Sequence, residues 1–119
     1  MTRFHILRNT LAVASFYVVV AVACVLTANA RSSARPVPLV ICDVFGDRYC
    51  GEALRVGWCE SGLRVDARNG QYRGIFQLGR WERHKYGHGL DARSQAQAAW
   101  RYFRASGRDW SPWSCRWAA

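Results

Sequence analysis

The chain has 119 residues and a formal net charge of +9 at pH 7, from 17 basic and 8 acidic side chains. Its length suits one small domain. The sequence contains no internal repeat and no low-complexity segment, so a repeat array is excluded.

The first thirty residues have the pattern of a secretory signal peptide. Arg3 and Arg8 form a basic start, and residues 10–27 are uncharged and largely apolar. Ala28-Asn29-Ala30 then places small residues at the −3 and −1 positions of a cleavage site. We predict that residues 1–30 are removed and that residues 31–119 are exported.

Two alternatives to cleavage stay open at this point. Residues 10–27 approach the length of a membrane-spanning helix, about 17–25 residues, so an uncleaved anchor is the main alternative. A lipidated Cys24 fits less well, because Ala21 stands three positions before it, where Leu is usual. All three interpretations place the remainder outside the cytoplasm, and any membrane contact would be through residues 10–27.

The exported part begins with a predicted linker over residues 31–41, and residues 37–44 are expected to be extended. Asp47 is a suitable N-cap for a helix over residues 48–60, in which apolar side chains recur at helical spacing. Ser61-Gly62 ends this helix, and the freedom of Gly62 to adopt a left-handed conformation is typical of a helix end.

The middle of the domain is predicted to be irregular, with a turn at Asn69-Gly70 and a turn or short helix at residues 74–78. A short helix is expected over residues 81–86. Ser94-Gln95-Ala96-Gln97 has the pattern of a capping box, and the helix it opens should end at Gly107. Few residues alternate as a strand would, so we predict a mainly α, loop-rich domain.

Outside residues 1–30 the chain has four cysteines, Cys42, Cys50, Cys59 and Cys115. An even number in a short exported chain indicates two disulfides, which a domain with a small core needs for stability. Counting alone leaves three pairings open. We predict Cys42–Cys50, which closes a local loop, and Cys59–Cys115, which ties the first helix to the C-terminal region. The cysteine spacing does not fit zinc, and no metal or cofactor is indicated.

Residues 31–119 retain fifteen basic and all eight acidic side chains, a net charge of +7. Such a protein is attracted to polyanions, including nucleic acid and a bacterial wall that carries teichoic acid or carboxylated glycan. The arginines are scattered rather than clustered in sequence, and no nucleic-acid-binding motif is present. We therefore expect a solvated basic surface and no specific nucleic-acid partner.

Glu60 is the best candidate for a catalytic acid. Acid-catalysed cleavage of a glycoside needs a protonated carboxyl beside the leaving oxygen, and desolvation keeps a carboxyl protonated. The end of an apolar helix next to Trp58 and Cys59 is a suitable place for that desolvation. Taken alone the signal is weak, because most Glu residues near helix ends are simply solvated.

The segment Gly74-Ile75-Phe76-Gln77 strengthens the prediction. A glycine at position 74 lets the backbone approach a bound sugar closely. The amide of Gln77 can donate and accept hydrogen bonds at once, which suits N-acetyl and hydroxyl groups. Ile75 and Phe76 are expected to be core residues.

The chain resembles the small lysozyme-like domains of actinobacteria and their phages, which include resuscitation-promoting factors and soluble-lytic-transglycosylase-like domains. The resemblance covers about residues 43–115 and rests on the order and spacing of five features: Cys59-Glu60-Ser61-Gly62, Asn69 to Gln77, Trp81, the Gln-rich helix from Ser94 to Ser106, and Gly107 to Cys115.

The resemblance implies a small lysozyme-like (α+β) catalytic domain over residues 42–119. Such a domain cleaves the β-1,4 bond between N-acetylmuramic acid and N-acetylglucosamine in peptidoglycan. It implies that Glu60 is the general acid and that Gln77 and Tyr72 lie near the sugar. It also favours the Cys59–Cys115 bridge. We expect a monomer that is secreted or associated with the cell wall and acts on glycan strands.

The product of the reaction stays open. In lytic transglycosylases one Glu performs both proton steps and leaves a 1,6-anhydro end, but the Ala-Tyr-Asn motif of those enzymes is absent here. A hydrolase needs a second group to activate water, and Asp66 is the nearest carboxylate in sequence, although a solvated loop role suits it better. A wall-binding or signalling module that keeps the fold but cleaves poorly is the alternative function.

The tryptophan and histidine side chains are predicted to have different roles. Trp81 is the best candidate for a wall of the cleft, because aromatic faces stack on sugars. Trp100, Trp110 and Trp113 are predicted to pack in the core. Two histidines in a Gly-rich stretch are predicted to be solvated, His84 and His88.

Overall fold

The computed structural model describes residues 34–119, of which residues 35–119 form one compact unit. The predicted signal peptide, with its apolar run at residues 10–27, lies outside the described residues. Within residues 34–119, no helix combines the length and the hydropathy needed to cross a membrane.

The described unit is mainly helical, with a single small antiparallel sheet among its elements. In chain order the elements are α1 (Val37–Ser61), β1 (Arg68–Asn69), β2 (Tyr72–Arg73), α2 (Arg80–Tyr86), α3 (Ala92–Ala105) and a final 3-10 turn (Arg116–Ala118). The prediction of a mainly α domain is therefore confirmed. Both predicted disulfides, Cys42–Cys50 and Cys59–Cys115, are also present.

Helix α1 begins earlier than the sequence indicated, so the prediction of an extended segment at residues 37–44 was wrong. Its β-branched run favours a strand, but Ile41 and Phe45 are buried in the core, and this packing outweighs local preference. Pro38 is compatible with the helix because it lies in the first turn. Gly46 has non-helical angles and interrupts α1 at the point where the sequence predicted the helix to begin.

The end of α1 agrees with the prediction. Gly62 has a φ of 65°, and its N–H donates to the carbonyl of Trp58 at 2.8 Å. This left-handed cap turns the chain sharply after Ser61, which leaves Glu60 in the last turn of the helix.

Strands β1 and β2 form a hairpin in which Asn69 pairs with Tyr72 and Arg68 pairs with Arg73. The two residues between the strands are Gly70 and Gln71, so the turn lies one residue later than predicted. Successive residues of a strand face opposite sides, so each pair presents a different face of the hairpin.

The N-cap of helix α3 lies three residues before the predicted N-cap, Ser94. Asp91 is the N-cap, and its Oδ1 accepts a hydrogen bond from the N–H of Ser94 at 3.0 Å. Ser94 Oγ donates in return to Asp91 Oδ2 at 2.7 Å, so the residue predicted as the cap is instead its partner.

The core lies between α1 and α3 and is closed by the C-terminal segment. Phe45 of α1 packs against Phe103 of α3, Trp110 of the C-terminal segment and Phe76 of the loop after β2. The predicted core positions of Ile75, Phe76, Trp110 and Trp113 are confirmed by burial, and Trp100 is half-buried against the same cluster.

Candidate functional site

A polar cleft of about 260 Å³ opens where the end of α1, the hairpin, α2, α3 and the C-terminal segment meet. We call it the Glu60 cleft. Its walls are Glu60, Asn69, Tyr72, Gln77, Leu78, Gly79, Glu82, Tyr102, Pro112, Trp113 and Ser114. Three of the predicted site residues, Glu60, Tyr72 and Gln77, are therefore brought together, although they come from separate parts of the chain.

Glu60 is half-buried, and its carboxyl group is held on one side. The Cys59–Cys115 disulfide brings the C-terminal segment against the last turn of α1. The N–H of Cys115 then donates to Glu60 Oε1 at 2.9 Å. Glu60 Oε2 has no hydrogen-bond partner among the described residues, so one carboxyl oxygen is fixed and the other is available to a ligand.

Ser61 connects the helix end to the loop that carries Gln77. Its hydroxyl donates to the carbonyl of Ile75 at 2.7 Å and accepts from the N–H of Arg64 at 3.2 Å. The serine that follows Glu60 thus fixes the distance between the end of α1 and the opposite wall of the cleft. This contact gives a structural reason for the Glu-Ser pair.

Gln77 has a positive φ of 47°, and its side chain folds back on its own loop. Its Nε2 donates to the carbonyl of Gly74 at 2.9 Å and to that of Ala67 at 3.4 Å. Because both partners are acceptors, the amide nitrogen must face them. Gln77 therefore offers the cleft an acceptor, its Oε1, rather than the donor and acceptor that the sequence predicted.

Tyr72 and Asn69 line the cleft as a cross-strand pair on one face of the hairpin. Tyr72 is 45% exposed, so its ring can still contact a ligand. Trp113 is buried, and its Nε1 donates to the carbonyl of Phe76 at 3.0 Å. The predicted packing role of Trp113 thus coexists with a place in the cleft wall.

Two predicted site residues, Trp81 and Gly74, lie outside the residues that line the Glu60 cleft. Trp81 is 60% exposed on α2, with Lys85 Nζ 4.5 Å from the centre of its ring.

Gly74 is buried, has a φ of 76°, and packs so closely that an added Cβ would lie 2.8 Å from His88 Nε2. This positive φ and this close packing are a structural reason for the glycine at position 74.

The second carboxyl group of the cleft is Glu82, which the sequence analysis did not identify. Asp66, the earlier candidate, is absent from the cleft walls. Its side chain is 84% exposed and lies 3.8 Å from the Nε of Arg64, as a solvated loop residue would. Glu82 was within reach of prediction, because it follows Trp81 in a helix whose position the sequence did indicate.

Tyr102 of α3 also lines the cleft, and the sequence analysis did not identify it. Burial raises the pKa of Tyr102, and the nearby Glu82 and Tyr86 raise this pKa further. The phenol therefore stays neutral at physiological pH and can donate a hydrogen bond beside Glu82.

The two histidines differ from each other. His84 is exposed, as predicted, but the prediction of a solvated His88 was wrong. The His88 ring is half-buried, and its Nε2 is buried without a hydrogen-bond partner in the described part of the chain. Burial lowers the pKa of His88, and the positive charge of Arg83 lowers it further, so the ring is neutral at pH 7.

Gln95 is a buried polar residue whose role the sequence analysis did not identify. It is buried on α3, where its Oε1 accepts from the N–H of Ile75 at 3.0 Å and its Nε2 donates to the carbonyl of Val65 at 3.0 Å. These bonds hold the loop before Gln77 at Ile75, whose carbonyl accepts from Ser61. Because a buried amide at helical spacing has no sequence signature, this bracing role is visible only in the structure.

Over residues 34–119, no group of three or more His, Cys, Asp or Glu side chains is arranged to hold a metal ion. No protein-family model, curated protein or solved structure matches the chain. Function is therefore inferred from the chemistry of its own residues, and above all from the two carboxyl groups and the neutral phenol of the Glu60 cleft.

Proposed function

We propose that this protein is an exported peptidoglycan glycosidase with a lysozyme-like domain, in which Glu60 is the general acid. The bond cleaved would be the β-1,4 bond between N-acetylmuramic acid and N-acetylglucosamine. One observation carries the proposal: Glu60 lies in a polar cleft with Oε1 held by the N–H of Cys115 and Oε2 free of protein partners among the described residues.

This arrangement suits the first chemical step. Glu60 gives a proton from Oε2 to the glycosidic oxygen, the bond to the sugar carbon breaks, and Glu60 is left negatively charged. The N–H of Cys115 already points at Oε1, so it stabilises the charge that develops there without any rearrangement. The buried side chains of Trp113 and Leu78 form an apolar part of the cleft wall beside these groups.

The same cleft offers groups for holding a sugar. The Oε1 of Gln77 can accept a hydrogen bond from a hydroxyl or an N-acetyl N–H. Tyr72 presents a partly exposed ring to the cleft, and aromatic faces pack well on sugar rings. Asn69 lies beside Tyr72 and can donate and accept.

Glu82 lines the cleft and is placed to activate water for hydrolysis, whereas Asp66 lies outside the cleft walls. If Glu82 activates water against the sugar carbon, the product has an ordinary reducing end. If Glu60 itself takes the proton of the muramic 6-hydroxyl, the product is a 1,6-anhydro sugar. Two carboxyl groups in one cleft favour the hydrolytic route, and Tyr102 beside Glu82 provides a neutral donor for orienting the water.

The proposal is tested by digesting purified peptidoglycan with the oxidised protein and identifying the products by mass spectrometry. Reducing ends one water heavier than anhydro ends would establish a hydrolase, and anhydro ends a transglycosylase. Glu60→Gln keeps the acceptor for the Cys115 N–H but has no proton to give, so it should release neither product. Asp66→Asn is the matched control and should digest like the wild type.

A second candidate function is wall binding with little cleavage. The observation that favours it is the size of the cleft, about 260 Å³, below the roughly 300–1,000 Å³ typical of ligand pockets. The two functions separate in one assay. A binding module would sediment with insoluble peptidoglycan and release no products from it, whereas the glycosidase would release products that Glu60→Gln does not.

A further inference from the structure

A second pocket, of about 510 Å³, lies against the other face of the hairpin. Asn69 and Tyr72 line the Glu60 cleft, whereas their strand neighbours Arg68 and Arg73 line this pocket. The alternation of side chains along a strand places the two pairs on opposite faces. We call this second site the arginine pocket; the walls used below are Asp66, Arg68, Arg73, Arg83, His88 and Gln95.

Positive charge exceeds negative charge in the arginine pocket. Arg68, Arg73 and Arg83 contribute three guanidinium groups, against the single carboxylate of Asp66. Asp66 is largely exposed and its nearest cation is Arg64, outside the pocket walls. Neither Arg68 nor Arg73 forms an ion pair with a carboxylate of residues 34–119. Unpaired guanidinium groups that share a pocket repel each other, and an anion would remove that repulsion.

Arg83 is the fixed member of this cluster. Its Nη1 donates to the backbone carbonyls of Gln71 and Leu78, which ties α2 to both ends of the β2 region. Burial lowers the pKa of Arg83, and the charges of Arg73 and Arg80 lower it further. The guanidinium is therefore held in place within the positive field of its neighbours, and its remaining N–H groups stay available for an acceptor.

His88 adds a buried polar atom without a partner. Its Nε2 lies beneath Gly74, and no group among the described residues hydrogen-bonds to it. Burial and the positive charge of Arg83 lower the pKa of this ring and favour its neutral form. A hydrogen bond with the backbone of Arg73 and the charge of Asp91 act in the opposite direction and favour the protonated form. An anion bound among the arginines would favour the protonated form as well.

From this geometry we propose that the arginine pocket binds an oxyanion, a carboxylate or a phosphate, through Arg68 and Arg73 on the fixed base of Arg83. The inference goes beyond the proposed glycosidase and does not depend on Glu60. Guanidinium groups pair with both kinds of oxyanion in a bidentate manner, so the shared chemistry is what the pocket recognises. In a wall-bound protein, the carboxylates of peptides and the phosphates of anionic polymers are the two sources.

The test is a titration of the oxidised, isotope-labelled protein with inorganic phosphate and, separately, with acetate, at constant ionic strength set by chloride. Magnetic resonance follows the ring signals of His88 and the side-chain N–H signals of Arg68 and Arg73. We expect saturable shifts at these three residues and a higher titration midpoint for His88. The exposed His84, on the same helix as Arg83, is an internal control whose signals should not move.

Substitutions distinguish a specific oxyanion pocket from a surface that attracts anions through its overall positive charge. Arg68→Gln and Arg73→Gln should each weaken binding at least about tenfold, because a charge-assisted hydrogen bond is lost. Arg104→Gln removes the same charge from an exposed position on α3 and should leave the affinity unchanged. Glu60→Gln should also bind normally, so failure of the glycosidase proposal would leave this one standing.

The outcomes are distinct. Saturation by phosphate at lower concentration than by acetate identifies a phosphate site, and the reverse order identifies a carboxylate site; both support the proposal. Shifts that grow linearly with either anion, or an equal loss of affinity in Arg104→Gln, would mean that only the overall charge attracts anions. Either of these results would overturn the proposal.

Discussion

The two disulfides lie at different ends of α1 and do different things for the site. Cys42–Cys50 spans 8 residues and bridges the interruption of α1 at Gly46, far in sequence from Glu60. Cys59–Cys115 spans 56 residues and begins at the residue before Glu60. Only the second bridge delivers a backbone N–H to the Glu60 carboxyl. A disulfide can thus orient a functional group as well as stabilise a fold.

The largest expected effect comes from removing the bridge beside Glu60. Replacing Cys59 and Cys115 together by Ser should lower the free energy of unfolding by about 4 kcal/mol, on the chain-entropy estimate for a loop of this length. The rate of glycan cleavage should also fall by at least about tenfold per folded molecule, because Glu60 loses the N–H that holds Oε1. Urea unfolding and a digestion assay below the unfolding temperature measure the two quantities.

The matched control is the paired replacement of Cys42 and Cys50 by Ser. It should lower the free energy of unfolding by about 2.5 kcal/mol and leave cleavage per folded molecule unchanged. An equal loss of cleavage in both double variants would contradict a positioning role for Cys59–Cys115. That bridge would then act through stability alone.

The loop before Gln77 is held by hydrogen bonds from Gln95 rather than by a disulfide. Gln95→Leu should lower the free energy of unfolding by about 2–3 kcal/mol, because the Ile75 N–H and the Val65 carbonyl lose their partner inside the protein. Gln97→Leu, on the same helix, should change this free energy by less than about 0.5 kcal/mol. Thermal or urea unfolding of the two variants decides the point; equal effects would contradict the bracing role.

Ser61→Ala sharpens the comparison further, since it removes a bond between the end of α1 and the Ile75 carbonyl without touching Glu60. We expect a loss of about 1 kcal/mol in the free energy of unfolding. The rate of cleavage should fall by a smaller factor than on loss of the Cys59–Cys115 bridge, since the Cys115 N–H stays in place. A larger fall than that double variant shows would mean that the loop, rather than the bridge, positions the carboxyl.

The smallest expected effect is a pH dependence of stability that comes from His88. Its pKa is lowered in the folded protein relative to the unfolded chain, so the unfolded chain binds more protons. The stability that the neutral ring contributes is present above the unfolded pKa, about 6.5, and is lost as the pH falls through the folded value. Midpoints of thermal unfolding between pH 8 and pH 5 should therefore fall less in His88→Gln than in the wild type. His84→Gln should behave like the wild type.

The sequence was sufficient for the features that depend on local chemistry or cysteine number. It correctly predicted the end of α1 at Gly62, the approximate extent of α3 and both disulfides. It was insufficient for the start of α1, because a run of β-branched residues carries no local sign that Ile41 and Phe45 will be buried in a helix.

The candidate site shows the same limit. Glu60, Tyr72 and Gln77 were found because they belong to recognisable segments, and the structure brings them into one cleft. Glu82 and Tyr102 were missed because their contribution depends on how α2 and α3 pack, which no local pattern encodes. Gly74 lies outside the residues that line the cleft, and its close neighbours Gln95 and His88 come from later in the chain.

The most direct test of the central claim is the rate at which the oxidised protein releases soluble fragments from purified peptidoglycan, compared with that of Glu60→Gln. Loss of a positioned general acid should lower this rate by about 10²–10⁴-fold. The Asp66→Asn control should retain the full rate, and unfolding curves should confirm that all three proteins are folded. Equal release by Glu60→Gln and the wild type, or no release by the folded wild type, would contradict Glu60 as the acid of a peptidoglycan glycosidase.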